Sequence, residues 1–531
     1  MIERIYFKNK DLDENCNILF ENQNVFQNTI SLKVINNIEV KEISFEIKFS
    51  KKIIAYRSHE YKWKKINRKK NHILNQHCPK IIVFEDFTYM LSSKNIGAWE
   101  IQNSYQISWI LKSPELHPIF SYEKDNYRNF VNRFKLENYN LKLLFSKKPV
   151  PEFSRSKIPF TPIMCFTDHC DFDTNESLEK QLTFFDKNNV KVSKGFFINH
   201  FSKRNNNSSY ENDKSLILNF DKNGHELFYH ALTQSIRKNE TAINEFINFN
   251  PPKEFPVSTY VDHGYQPYNY TLKKHSELSE NEWAKIMYEK GVKNLWTYLD
   301  SGTSEKGIIN QLDPDSFTPK RLIKNHIFNA IFLFRTLLFF SGNEELLIKY
   351  KRSASYFKRI LSGKETKLIP LFLATVNKCL FFCFSTILIK KKRNKVFTYS
   401  KYTPFIFQHK LNDITFNFFQ TVEVTNFEKT FSKKNIELLI KQSGAIIAHC
   451  YFSSPLTTQK GKLFQGEAIS KINEENFSLL KEELQKNKIW NPTISELIDF
   501  TTETSKLEYD TIEGEIKVNT NTTPIRYIKY A

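Results

Sequence analysis

Between Pro162 and Asp173 the chain reads ProIleMetCysPheThrAspHisCysAspPheAsp, an apolar run that ends in Asp168, His169, Asp171 and Asp173. Three carboxylates and an imidazole at the end of a buried strand cost desolvation energy unless a metal ion or a substrate compensates them. Such side chains support metal coordination and proton transfer. Four later stretches have the same form. GlyHisGluLeuPheTyrHisAlaLeuThrGln, 224–234, supplies His225, His230 and Gln234, and SerThrTyrValAspHisGlyTyr, 258–265, supplies Asp262, His263 and Tyr265. AsnLeuTrpThrTyrLeuAsp, 294–300, brings Trp296 and Asp300, and GlyAlaIleIleAlaHis, 444–449, ends in His449. Any one of these histidines alone reads as a satisfied structural residue. Their recurrence at the ends of apolar runs points to a shared site.

The elements that would position them follow from periodicity. Leu178, Leu182 and Phe185 recur at helical spacing behind a capping-box-like start, Asp173 with Glu176. LysValSerLysGlyPhePheIleAsn, 191–199, reads as the next strand, completing a βαβ unit whose loop lies at the carboxyl end of the sheet. The predicted class is α/β, with this rhythm over 155–316 and again over 441–510. Residues 1–150 read as a strand-rich accessory domain, where Trp63, Trp99 and Trp109 form core rather than a sugar-stacking face. ProValProGluPhe at 149–153 reads as a linker, and 511–531 as a C-terminal tail.

Residues 317–440 interrupt the rhythm with a basic, apolar, mostly helical insertion. Leu368 to Ile389 reaches the ~20 residues a bilayer span needs, but Pro370, Asn377, Lys378, Ser385 and Thr386 interrupt it. Covered helices, attachment to a membrane surface through Lys390–Lys392 and Arg393, and a true span all remain open readings.

Composition narrows the classes. Lys and Arg number 77 against 58 Asp and Glu, a formal charge of +19, but the basic residues are scattered and Gly is scarce beside Lys, Asn, Ile and Phe. That reads as codon bias and a solvated basic surface, with no nucleic-acid partner. Seven scattered cysteines without a CxxC pair argue against disulfides or a zinc knuckle. No GxGxxG or P-loop is present, so a nucleotide cofactor has no support. The first ten residues lack an apolar core of the signal-peptide kind, making cytoplasmic residence the expectation, with peripheral attachment to the inner membrane face through 317–440.

In their order, these motifs resemble the polysaccharide deacetylase family, the NodB-like carbohydrate esterases, over roughly two thirds of the chain. PheThrAspHis resembles the family's ThrPheAspAsp, GlyHisGlu with His230 its second motif, GlnProTyrAsn the end of its third, and GlyAlaIleIleAlaHis its closing strand. The resemblance implies an incomplete (β/α) barrel and a divalent metal, zinc first, acting on an acetylated carbohydrate or lipid-linked glycan in surface polysaccharide biosynthesis. It implies Asp168 as general base and His449 as general acid. The metal would be held by His169 and His230, with Asp171 or His263 completing the sphere. Asp173, His225, Gln234, Asp262, Tyr265, Trp296 and Asp300 would support the ligands or the substrate. Two positions depart from the family, His169 for a ligand Asp and Gln234 for a ligand His. An inactive deacetylase-like glycan-binding or scaffold protein is the alternative.

Overall fold

The computed structural model describes residues 1–7, 15–67, 71–123, 127–200, 207–234, 238–264, 266–304, 307, 309–326, 329–363, 365–455, 462–519 and 522–530. The apolar runs become the strands of a barrel: β1 (Ile163–Asp168), β2 (Ser193–Phe196), β3 (Glu226–His230), β4 (Thr259–Val261), β5 (Asn294–Ser304), β6 (Ile406–Leu411), β7 (Ile414–Val424) and β8 (Ala445–Cys450). The order is β5-β4-β3-β2-β1-β8-β7, and β5 pairs with β7 to close a ring of seven parallel strands. Strand β6 lies outside the ring as the antiparallel hairpin partner of β7. The (β/α) barrel expected from the sequence is therefore present, with fewer than eight strands, yet closed.

Strand alternation decides what each residue faces. In β1, Ile163 and Cys165 point into the barrel against Phe228, Val261 and Ile447, whereas Met164 and Phe166 point out into the helical layer. A parallel strand covered on both sides needs apolar residues on both faces, which explains the unbroken hydrophobic run. The covering helices include α1 (Asn175–Asn188), α2 (Tyr210–Lys222), α3 (Asn239–Asn248) and α4 (Glu280–Glu289). Helix α1 is capped by Thr174 and Ser177 in a reciprocal box, not by Asp173 and Glu176, because the Asp173 carboxylate is engaged elsewhere.

The N-terminal region is two antiparallel sheets of five and seven strands over their own core, in which Trp99 and Trp109 meet edge to face at 5.8 Å. The stretch read as a linker is a strand, Val150–Phe153, paired with Ile525–Ile528 from the tail. Its Glu152 is fully buried and accepts hydrogen bonds from Arg57 at 2.5 and 3.0 Å and from Arg526 at 2.8 Å.

The insertion is helical, α5 (Pro319–His326), α6 (Ala330–Phe340), α7 (Glu344–Leu361) and α8 (Ile369–Leu388), but it is shorter than 317–440. Strand β7 lies inside that range, and its IleThrPheAsnPhePheGlnThrValGluVal closes the barrel. The insertion is tied to the N-terminal region where Arg128 and Glu344 form a bidentate ion pair at 2.6 and 2.7 Å.

Candidate functional site

A cavity of about 450 Å³ opens at the carboxyl ends of the parallel strands. His169 follows β1, His230 ends β3 and His263 follows β4, so three strand ends deliver imidazoles to one place. Asp171, in the turn before α1, lies between them: His230 Nε2 is 3.0 Å from its Oδ2 and His263 Nε2 is 2.6 Å from its Oδ1. Ligand atoms of His169, Asp171 and His230 all lie within 4.8 Å of one another, so this buried cluster is able to hold a metal ion. Burial pushes the Asp171 carboxyl up, but the facing His230 and His263 outweigh it and hold it well below the usual range. Burial holds the His169 imidazole well below its ordinary value and lowers that of His230, favouring the neutral forms that ligate metals.

The Nδ1 atoms of His230 and His263, the ring nitrogens other than those facing Asp171, are buried without a hydrogen-bond partner among the described residues.

Beside the cluster, His449 ends β8 one residue short of the strand terminus and stacks on His169 with ring centroids 4.0 Å apart. Its Nδ1 lies 3.2 Å from both carboxylate oxygens of Asp300, whose Oδ1 also accepts from Thr421 Oγ1 at 2.6 Å. Burial opposes charge on His449, but Asp300 and then Glu423 outweigh it and raise its pKa. Its Nε2 is buried without a partner among the described residues. Trp296, bonded through Nε1 to Thr421 at 2.9 Å, lines the same cavity. So does Glu423, whose carboxyl is raised by burial and by Asp300. Glu423 and Arg335, which sits at the mouth on α6, were missed from sequence because both fell in the stretch assigned to the insertion.

Asp168 is not in this cavity, which corrects its assignment as the base. Strand alternation turns it outward with Phe166, and its buried carboxylate pairs with Lys194 of β2. Lys194 also reaches Asp173 at 2.5 Å and Gln181 at 2.9 Å, so Asp173 is a member of this ion cluster and not a ligand support. Burial opposes the lysine's charge, but Asp168 and Asp173 outweigh it and raise its pKa. His225 precedes β3 at the opposite end of the barrel and faces Asp186 at 3.3 Å. Gln234 is no ligand either: it donates to the Asp171 backbone carbonyl at 2.6 Å and contacts His200, fixing the turn that presents Asp171. Asp262 borders the cavity while capping the turn after β4, accepting from Tyr270 N at 3.1 Å and Thr271 N at 3.0 Å. Tyr265 lies outside the described residues.

No protein-family model matches the chain, and no curated protein does. Among solved structures, the chain is similar to a Flavobacterium johnsoniae GH31 dextranase complexed with glucose, at 8% identity and a TM-score of 0.26, over 95% of this chain and 65% of the dextranase. A mutant of that dextranase complexed with isomaltotriose matches at 8% identity and a TM-score of 0.18, over 55% of this chain and 41% of the other. The chain thus spans less than two thirds of the dextranase's length, and scores this low assign neither family nor function.

Proposed function

We propose that the protein is a metal-dependent hydrolase that removes acetyl groups from a carbohydrate. The observation that carries this is the meeting of His169, His230 and His263 with an Asp300-supported His449 in one cavity, with Asp171 bound to His230 and His263. His169, Asp171 and His230 would hold the ion, with His263 beside them, and mixed imidazole and carboxylate donors would suit zinc. When bound, such an ion supplies Lewis acidity toward an acetyl oxygen. Glu423 takes the part first given to Asp168, accepting a proton from the attacking water, for which a raised carboxyl is well matched. His449 hands a proton from Nε2 to the departing sugar nitrogen or oxygen, and Asp300 fixes its tautomer and stabilises the imidazolium. The test is metal content of the purified chain alongside acetate release from a panel of N- and O-acetylated glycans. Stoichiometric metal and acetate release are expected, with both lost in His230→Ala.

A second reading, a glycan-binding protein without catalysis, is favoured by the ion pair that holds Asp168 away from the cavity. Glycan binding by calorimetry with no acetate released would decide for it.

A further inference from the structure

Helix α8 is built inside out. The residues it turns toward the protein are Thr375, Cys379, Cys383 and Thr386, small side chains on one helical face. Its bulky apolar residues, Leu371, Leu373, Leu380, Phe381, Phe384 and Leu388, face solvent, with Phe381 73% and Leu388 75% exposed. The core helix of a soluble protein has the opposite arrangement, and contiguous exposed apolar surface of this kind marks an interaction site.

Charge identifies the partner. Between Thr366 and Val396 there are seven Lys and Arg residues and no Asp or Glu. Lys390, Lys391, Lys392 and Arg393 follow α8 directly, and none of them has an ion-pair partner among the described residues. An apolar face bordered by unpaired cations matches acyl chains beneath anionic headgroups. Lys378, midway along α8, suits a helix lying in the interface more than one crossing the bilayer.

The surface is continuous with the cavity. Helix α6 packs on α8, with the Phe334 and Phe384 rings 5.4 Å apart and Cys383 Sγ 3.8 Å from the Phe334 carbonyl. The same α6 carries Phe332, Arg335 and Phe339 into the cavity lining. We infer that the α8 face seats the protein on an anionic lipid bilayer, with the cavity beside the membrane. This inference stands apart from the hydrolase reading, because its test reads binding and not turnover.

The test is sedimentation of the intact chain with vesicles of phosphatidylcholine alone or with phosphatidylglycerol, at low and high salt. Binding to the anionic vesicles, weakened by salt, is expected. Replacing Lys390, Lys391 and Lys392 with Gln together should weaken it on the order of 100-fold, from the strength of a single lysine near such a surface. The exposed pair Phe381→Ser and Leu388→Ser should remove the part that survives salt, with the thermal unfolding midpoint unchanged. Failure to bind anionic vesicles, or binding indifferent to both sets of changes, would overturn the inference. So would a concentration-dependent dimer dissolved by the Phe381 and Leu388 changes, which would make a second copy the occupant.

Discussion

The placement of Asp168 yields a prediction that separates a structural from a catalytic carboxylate. Lys194 is the one cation between two carboxylates, and all three side chains are at most 2% exposed. Changing Asp168→Asn leaves one ammonium facing one carboxylate and keeps an acceptor for the Phe452 N–H, now 2.8 Å from Asp168 Oδ1. The cost is one charged hydrogen bond, offset by removal of a surplus buried charge, or about 1–2 kcal/mol. Changing Lys194→Met strands two adjacent carboxylates in the core, and breaking a buried pair in this way costs about 3–5 kcal/mol. Urea unfolding followed by far-UV circular dichroism should therefore show a loss in Lys194→Met two to three times that in Asp168→Asn. The pH dependence has a definite sign. Burial pushes the Asp168 carboxyl up against the pull of Lys194, with Asp173 adding to the rise, so folding takes up a proton. Stability from that group is complete below the unfolded carboxylate value near 3.8 and is lost as pH rises through the folded one. The Lys194→Met variant, lacking the lysine's pull, should recover part of its lost stability on acidification toward that value. A folded Asp168→Asn protein of near wild-type stability whose acetate release fell a thousandfold would refute this reasoning and restore Asp168 as the base.

Other outcomes follow from neighbouring geometry. Asp300→Asn should lower kcat roughly 100-fold, within the range of general acid–base contributions, while leaving metal content unchanged; equal loss of metal would place Asp300 in the metal sphere. Gln234→Ala should weaken metal affinity about 10–100-fold, as removal of a group orienting a ligand does, measured by competition with a chelator; unchanged affinity would dismiss its role in presenting Asp171. Lys80 is buried with Asn95 Oδ1 at 2.8 Å, and burial pulls its pKa down to about 7. Folding thus expels a proton there, and stability rises as pH climbs from about 7 toward the unfolded value of 10.5. Lys80→Met should gain on the order of 2 kcal/mol at pH 7 and less near pH 10, checked by denaturation at both.

Apolar runs ending in polar residues marked the strand ends at His169, His230, His263 and His449, because a closed parallel barrel places its strand ends around one mouth, whereas Asp300 lies within β5, which runs on to Ser304. What those runs did not show was the last residue's facing. Asp168 is the final residue of β1, and the period of two sends it outward, whereas His169, one position on, falls on the inward parity of Ile163 and Cys165 and enters the cavity. His225 looked like part of a motif with His230, yet the two bracket β3 from opposite ends. Glu423 was concealed by its setting. The alternation PheAsnPhePheGlnThrValGluVal identifies a strand, but it follows a long helical segment and was absorbed into it. Lys194, within LysValSerLysGlyPhePhe, passed for an ordinary strand lysine because the carboxylates that neutralise it are distant in sequence.

The pairing of β1 with β8 also sets a timetable. Ile163 lies beside Ala445, so the first barrel strand leaves the ribosome long before its neighbour is made. At ordinary elongation rates that interval is roughly tens of seconds, far beyond the time hydrophobic collapse requires. Throughout it, one backbone edge of β1 and the apolar side chains Ile163 and Cys165 lack their final cover. The N-terminal sheets can form early, but Val150–Phe153 waits longer still, for Ile525–Ile528. The nascent chain is therefore a natural client for a holdase, and a chain halted anywhere in the insertion would expose a strand edge suited to pairing with another copy of itself.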